Sequence, residues 1–472
     1  MIARPRWYLF LTLLILAWAE VGFATDPFLA KPYLQIGDAP TANSGDLILL
    51  WHAEDVDADW SVEHRANDEA PWIRTESPTS KRVAVPTIEA HRVYRAALKG
   101  LAAGQTFTYR VLKGGEEVFR SAGRARKSAA QPYRFVTVGD IAQGSEAQRK
   151  VAYQMVEASP DVLVINGDIV YARGRISEYR EKYWPVYNAD EASPSSGGPL
   201  IRSVPTLASP GNHDIGSRDL GKYPDGLAYF LYWDQPLNGP ASGAFTSPLA
   251  GPEANQKAFL EAAGPAFPRM VNFSVDYGNA HWTFLDANEY VDWRDPALRA
   301  WVEKDLADAK DATWRFVSFH HPGFNSSKAH FEAQQMRLVA DIFEAGKVDL
   351  VFSGHVHNYQ RSFPTRFVSD RGADGLMVRN QNLVPGKWEL DKTFDGKSDT
   401  TPEGVIYIVT GAGGAGLYNP EQHDKPETWQ KFTDKFVSRV HSVSVADVDG
   451  KTLTVRQISA DGEEVDKFVV TK

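Results

Sequence analysis

The chain has 472 residues, of which 43% are hydrophobic, 24% charged and 12% aromatic. This is the profile of an ordered globular protein; it excludes disordered, collagen-like and fibrous-repeat classes and makes two domains the default expectation. Lys and Arg total 51 against 60 Asp and Glu, a formal charge of −9, and there is no cysteine. Nothing therefore points to a surface built to neutralise nucleic-acid backbones. Disulfides, thiolate zinc sites, cysteine nucleophiles and a lipid-modified N-terminal cysteine are excluded, so any metal must bind through oxygen and nitrogen.

Arg4 and Arg6 precede an apolar run over 7–18 and then small residues ending at Ala24, the order of a secretory signal over 1–24 cleaved after Ala24. The run falls short of the ~20 apolar residues needed to span a bilayer. The mature chain is expected to be exported, secreted or periplasmic, with no membrane span and no nucleic-acid platform. Beyond Lys31, short alternating strands at 47–51, 60–64, 93–98 and 106–111 are punctuated by turn residues, which predicts a β-sandwich over 25–128. The small, basic, apolar-poor stretch 121–131 reads as a linker.

After Pro132, apolar runs of four to six residues alternate with long helical patterns, the arrangement of an α/β sheet. Five runs end in potential ligands: 133–138 before Asp140, 162–165 before Asp168, 204–208 before Asn212 and His213, 316–319 before His320, and 348–352 before His355. Sites in such sheets form beyond the carboxyl ends of the strands. Asp295-Pro296 predicts a helix start, with Leu298, Trp301, Val302 and Leu306 on one face, and 330–345 predicts another helix closed by Gly346. Stretches 188–203, 215–269 and 365–403 read as surface insertions. In the middle one Tyr223, Tyr229, Phe230, Tyr232 and Trp233 either wall a substrate pocket or pack beneath the loop. Gly411-Ala412-Gly413-Gly414 either approaches a phosphate or makes a tight turn.

The strongest pattern is a set of His, Asp and Asn residues in glycine-bearing turns, where backbone can bend sharply and hold side chains close to an ion. They are Asp140, Gly167-Asp168-Ile169-Val170-Tyr171, Gly211-Asn212-His213-Asp214, Val317 with His320, and Gly354-His355-Val356-His357. In this order they resemble the purple acid phosphatases within the calcineurin-like metallophosphoesterases. The stretch 98–111 and the opening Lys31-Pro32-Tyr33-Leu34-Gln35 resemble the fibronectin type III module that plant-type members carry in front.

The resemblance implies a four-layer αββα sandwich over 133–472, α+β/α/β in class, preceded by a small all-β fibronectin type III-like sandwich. It assigns Asp140, Tyr171 and His357 to trivalent iron, and Asn212, His320 and His355 to a second, divalent ion (zinc, manganese or ferrous iron), with Asp168 bridging both. His213 and His330 match outer groups that hold the phosphate or protonate the leaving alcohol. The reaction implied is hydrolysis of small-molecule phosphate monoesters by a metal-bound hydroxide, with an optimum on the acid side. A phosphodiesterase or nucleotide hydrolase using the same metals is an alternative, as is a non-catalytic surface binding protein.

Donor chemistry agrees with this division, since phenolate and carboxylate suit a highly charged ion while imidazole and amide oxygen suit a divalent one. A phenolate on ferric iron absorbs visible light, so Tyr171 predicts a purple or pink protein. His321 adjoins His320, and the sequence leaves an exchange of their roles open. Ala142 stands where the family has glycine, a role that Gly144 could take over. Asp214 is expected to orient His213.

Overall fold

The structure is a computed structural model that describes residues 26–39, 45–240, 243 and 248–472; the secretory signal read at 1–24 lies outside the described residues. Eight strands come first: β1 (Ala30–Gln35), β2 (Leu47–Glu54), β3 (Trp60–Arg65), β4 (Ile73–Arg74), β5 (Thr79–Val83), β6 (His91–Leu98), β7 (Thr106–Lys113) and β8 (Glu116–Arg124). They form two layers, β1-β2-β6-β5 and β4-β3-β7-β8. Alternation of inward and outward residues puts Leu49, Trp51 and Tyr94 from one layer against Val62, Tyr109 and Val111 from the other. Trp51 stacks on Tyr94 with ring centroids 5.3 Å apart.

The second part opens with β9 (Tyr133–Val138), α1 (Glu146–Ala158), β10 (Val162–Asn166), the hairpin β11 (Asn188–Ser193) and β12 (Gly197–Pro199), β13 (Thr206–Ser209) and α2 (Glu253–Ala263). It continues with β14 (Phe273–Tyr277), β15 (Ala280–Phe284), α3 (Pro296–Asp308), β16 (Trp314–Ser318), α4 (Ala340–Ala345), β17 (Leu350–Ser353) and β18 (Tyr359–Ser362). The hairpin β19 (Thr365–Ser369) and β20 (Gly386–Leu390), then β21 (Ile406–Thr410), β22 (Thr433–Val437), β23 (Ser442–Asp449), β24 (Thr452–Ser459) and β25 (Glu464–Thr471) complete it. Two sheets dominate, ordered β25-β24-β23-β9-β10-β13-β1-β2-β6-β5 and β14-β15-β16-β17-β21-β18-β22.

These sheets pack face to face. Phe135, Val162, Val164 and Leu207 of the first share a core with Phe284, Phe316, Phe352 and Ile408 of the second. The outer face of the first sheet, with Val136, Val138 and Ile165, takes Val151, Ala152 and Met155 of α1. The outer face of the second, with Val317, Val351 and Tyr407, takes Leu298, Val302 and Leu306 of α3. The four αββα layers expected are therefore present. Two helices begin where a side-chain cap dictates: Ser145 Oγ accepts from Gln148 N at 3.0 Å ahead of α1, and Asp295 accepts from Ala297 N and Leu298 N with Pro296 next to it ahead of α3.

Three expectations are corrected. First, 121–131 is not a free linker. The strand β8 runs to Arg124, and buried Arg126 donates from Nη1 to Ala39 O and from Nη2 to Asp276 O, both at 2.8 Å. In addition β1 pairs in parallel with β13 through Gln35 and Thr206, so the N-terminal strands extend the first large sheet. Second, the helix read over 330–345 is shorter: a 3-10 turn at Gln335–Val339 leads into α4, and residues 330–334 form turns in which His330 adopts a φ of 55°. Third, the insertions carry structure of their own, the β11–β12 and β19–β20 hairpins and α2.

The aromatics of the middle insertion separate. Tyr229, Phe230, Tyr232 and Trp233 are buried in the core. Tyr232 bridges to the N-terminal strands: His91 Nε2 lies 2.9 Å from its hydroxyl, and Tyr33 OH donates to its carbonyl at 2.8 Å. Their role is packing; only Tyr223 remains half-exposed.

A polar junction on the second sheet gives a stability test. His281 on β15 bonds Asp276 Oδ1 at 2.8 Å and Asp305 Oδ2 at 3.1 Å. Burial pulls this imidazole down, but the two carboxylates outweigh it and raise it to about 9. A pKa raised on folding stabilises fully below the unfolded value near 6.5, and that stabilisation is lost as pH rises through about 9. The stability gap between wild type and His281→Gln, measured by denaturant unfolding, is expected to shrink by on the order of 3 kcal/mol between pH 6 and pH 10. A gap independent of pH would contradict the assignment.

Candidate metal centre

The parallel strands of both sheets end at the same edge. From the first sheet, the turn after β9 supplies Asp140, that after β10 supplies Asp168, and that after β13 supplies Asn212 and His213. From the second, β16 leads to His320 and β17 to His355 and His357. Carboxylates of one sheet thus meet imidazoles of the other across the seam.

The turns are tight. Asp140, Asp168 and His355 have φ of 61°, 50° and 66°, a left-handed conformation that costs a non-glycine residue about 1–2 kcal/mol. Glycine is required beside them for close approach. A Cβ on Gly354 would lie 2.6 Å from Asp140 Oδ2 and 2.7 Å from Asn166 O, and one on Gly411 would lie 2.6 Å from Asp140 Oδ2. The Gly411–Gly414 segment is therefore a close-packed turn against Asp140.

Backbone amides fix the outer carboxylate oxygens: His355 N donates to Asp140 Oδ2 at 2.8 Å, and His213 N to Asp168 Oδ1 at 2.9 Å. The remaining oxygens face the histidines. Asp140 Oδ1 accepts from Tyr171 OH at 2.9 Å and lies 3.2 Å from His357 Nε2 and 4.0 Å from His320 Nε2. Asp168 Oδ2 lies 3.2 Å from His320 Nε2 and 3.8 Å from His213 Nε2. The rings are held from behind, His320 Nδ1 donating to Asn166 O at 2.8 Å and His357 Nδ1 to Gly416 O at 2.7 Å, so each presents Nε2 inward.

This constellation fits a cation. Asn212 Oδ1 and His320 Nε2 are buried without a hydrogen-bond partner, which folded proteins rarely tolerate. Ligand atoms of Asp168, His320 and His355 lie within 4.8 Å of one another. The electrostatics also ask for positive charge. Burial pushes the Asp168 carboxyl up, yet the charge of the adjacent His320 outweighs it and holds the carboxyl well below the usual range. Burial pulls His320 down, while Asp168 and Asp140 raise it to about 9. Without a metal, a proton on His320 does a cation's work. Burial, then Asp140 and Asp168, push the Tyr171 phenol far up, so it keeps its proton until a cation displaces it.

All nine residues singled out from the sequence lie at this edge. Between His320 and His321, only His320 faces the carboxylates; His321 is buried with its ring 4.1 Å from that of His355. Ala142 fits without strain, bonding through its backbone to Ile169 and Tyr171, and the left-handed turn falls on Gly144 with φ 89°. Asp214 does not orient His213, a correction. Its oxygens accept from Gly211 N at 2.8 Å and Ile169 N at 3.0 Å, locking the Asn212 turn to the Asp168 turn. His213 is instead set by Nδ1 donating to Ala172 O at 2.8 Å. His330 lies with its ring 4.1 Å from that of His355 and opens onto a cleft of about 690 Å³ lined also by Ser327, Lys328 and Gln422.

Two supports escaped the sequence reading. Asn166 donates from Nδ2 to Thr137 Oγ1 and accepts from Ser318 Oγ, each at 2.8 Å, tying three strand ends beneath His320. Tyr418 stacks on His357 at 4.1 Å and 11°; its phenol is pushed up to about 12 by burial and by Asp140 and Asp168. Asn166 precedes Gly167-Asp168, a signal available in the motif; Tyr418 belongs to none.

Residues 133–359 match the family model described as calcineurin-like phosphoesterase. The chain is similar to purple acid phosphatase 23 of Arabidopsis thaliana, 28% identical over 253 residues that cover 49% of this chain and 48% of that protein. It is also similar to phosphoenolpyruvate phosphatase of Allium cepa, 29% identical over 240 residues, 49% of this chain and 42% of that one. An uncharacterised protein of Mycobacterium tuberculosis is 24% identical over 434 residues, 84% of this chain and 72% of that one. The matched stretches thus span under half the length of these plant relatives. Among solved structures, purple acid phosphatase PPD1 from yellow lupin (Lupinus luteus) seeds superposes with a TM-score of 0.62 at 17% identity, covering 93% of this chain and 74% of that one. PhoD superposes with a TM-score of 0.58 at 13% identity, covering 95% and 94%. Both share the fold. Family match, layered sheets and strand-end donors agree: the chain carries a calcineurin-like phosphoesterase domain and has purple acid phosphatases among its relatives.

Proposed function

We propose that this protein is an exported, dinuclear metal-dependent phosphatase that hydrolyses phosphate monoesters on the acid side of neutrality. The observation that carries the reading is the convergence of buried carboxylate, imidazole, phenol and amide donors at one edge, with Asn212 Oδ1 and His320 Nε2 lacking protein partners. The relatives named as acid phosphatases support the activity and its pH range. The sequence pattern over 1–24 supports export, to a periplasm or beyond the cell.

In this reading Asp140, Tyr171 and His357 would hold a first ion and Asn212, His320 and His355 a second, with Asp168 a ligand available to either. The hard phenolate of Tyr171 favours ferric iron at the first position. Bound there, such ions would lower the pKa of water and neutralise phosphate charge. The chain's own groups orient the ester. His213, its Nδ1 engaged by Ala172 O, has Nε2 free for a phosphate oxygen or for the proton that the departing alkoxide needs. His330 does the same from the cleft side. Tyr418 holds the His357 ring by stacking.

Two tests follow from these roles. With p-nitrophenyl phosphate, Asp168→Asn is expected to lower kcat by 100-fold or more and to reduce bound metal; unchanged turnover would refute the shared-carboxylate mechanism. Rates on a matching diester measure the phosphodiesterase alternative in the same assay. Gly354→Ala, which pushes a methyl against Asp140, is expected to lose metal and about 1–3 kcal/mol of stability from overpacking. Full metal content in that variant would show that the glycine has no part in shaping the site.

A further inference from the structure

Beside His213 the rim carries cations that the metal centre does not use. His213 Nδ1 bonds the carbonyl of Ala172, so the next residue, Arg173, stands at the edge of the site. Its guanidinium lies 5.5 Å from the Tyr223 ring, and Lys222 Nζ lies 5.4 Å from the same ring. Arg218 follows His213 in the chain by five residues; its guanidinium lies 4.7 Å from the Tyr290 ring and its Nη1 is buried without a hydrogen-bond partner. None of the three makes an ion pair among the described residues.

The nearby carboxylates are already engaged. Glu178 accepts from the backbone amides of Ala172, Arg173 and Arg175. Asp225 is bound to Arg175 at 2.7 Å, and Asp219 accepts from Gly221 N and Lys222 N. Arg218 faces the buried carboxylate of Asp286, which leaves Arg173 and Lys222 as two unpaired cations beside the site of a chain whose formal charge is −9. Both cationic heads thus gather at one aromatic ring, Tyr223.

We propose that this rim selects phosphate esters whose leaving group carries a second phosphate, which Arg173 and Lys222 bind while the first phosphate occupies the metal centre. The inference rests on the hydrolase reading above and adds its substrate class. Charge at a rim acts mainly on binding and encounter and is screened by salt. The effect therefore belongs in KM and not in kcat.

The test compares fructose 1,6-bisphosphate, fructose 6-phosphate and p-nitrophenyl phosphate on the metal-loaded enzyme, in wild type and in Arg173→Ala/Lys222→Ala. Wild type is expected to show a KM for the bisphosphate about tenfold below that for the monophosphate in low salt. In the double variant or in 0.5 M NaCl that advantage disappears, with p-nitrophenyl phosphate kinetics unchanged. Equal KM values for the two sugar esters in wild type, or equal losses on all three substrates in the variant, would overturn the proposal. Absence of turnover on every ester would instead overturn the hydrolase reading. The thermal shift given by each sugar phosphate then still decides the rim: a larger shift with the bisphosphate, lost in the variant, upholds it, and equal shifts defeat it.

Discussion

Two buried carboxylates facing buried imidazoles across the seam of two sheets set the terms for this molecule. Asp140 and Asp168 are almost fully excluded from solvent, where an isolated negative charge is several kcal/mol too costly to keep. Their outer oxygens are neutralised by backbone amides and their inner ones look onto histidine nitrogens and a phenol. A cation between them relieves this arrangement at once. The left-handed turns, the glycines without room for a methyl group and the hydrogen bonds behind each ring are what holding that geometry requires.

The rest of the fold follows from placing strand ends level with one another. Parallel pairing of β9, β10 and β13 in one sheet, and of β16, β17 and β21 in the other, brings six turns to one edge. Thr137, Asn166 and Ser318 then cross-link the strands just below the site. The N-terminal strands add to the same sheet through β1, and Tyr232 with Tyr33, His52 and His91 seals that junction in a buried polar cluster. The two parts share continuous structure in place of a hinge.

Much of this was legible in the residues themselves. Apolar runs four to six long, each followed by a ligand type, placed the five strand ends, because a strand buried on both faces leaves a near-continuous hydrophobic signature; the assignment of metal donors came from the resemblance of their motifs to a known family. What escaped depends on contacts between segments far apart in the chain. Arg126 looks like linker because its partners, Ala39 and Asp276, lie 87 and 150 residues away. Asp214 sits beside His213 yet serves the backbone at Ile169, since the turn geometry points its carboxylate inward. Helical periodicity over 330–345 is real but loses its first turns to the loop that presents His330.

The account stands most directly on how many ions a working molecule holds. Metal-free protein titrated with iron and zinc, with hydrolysis of p-nitrophenyl phosphate followed at each addition, is predicted to gain activity only as the second equivalent binds, at two ions per chain. Full activity at one equivalent, or in protein stripped by chelator, would contradict it.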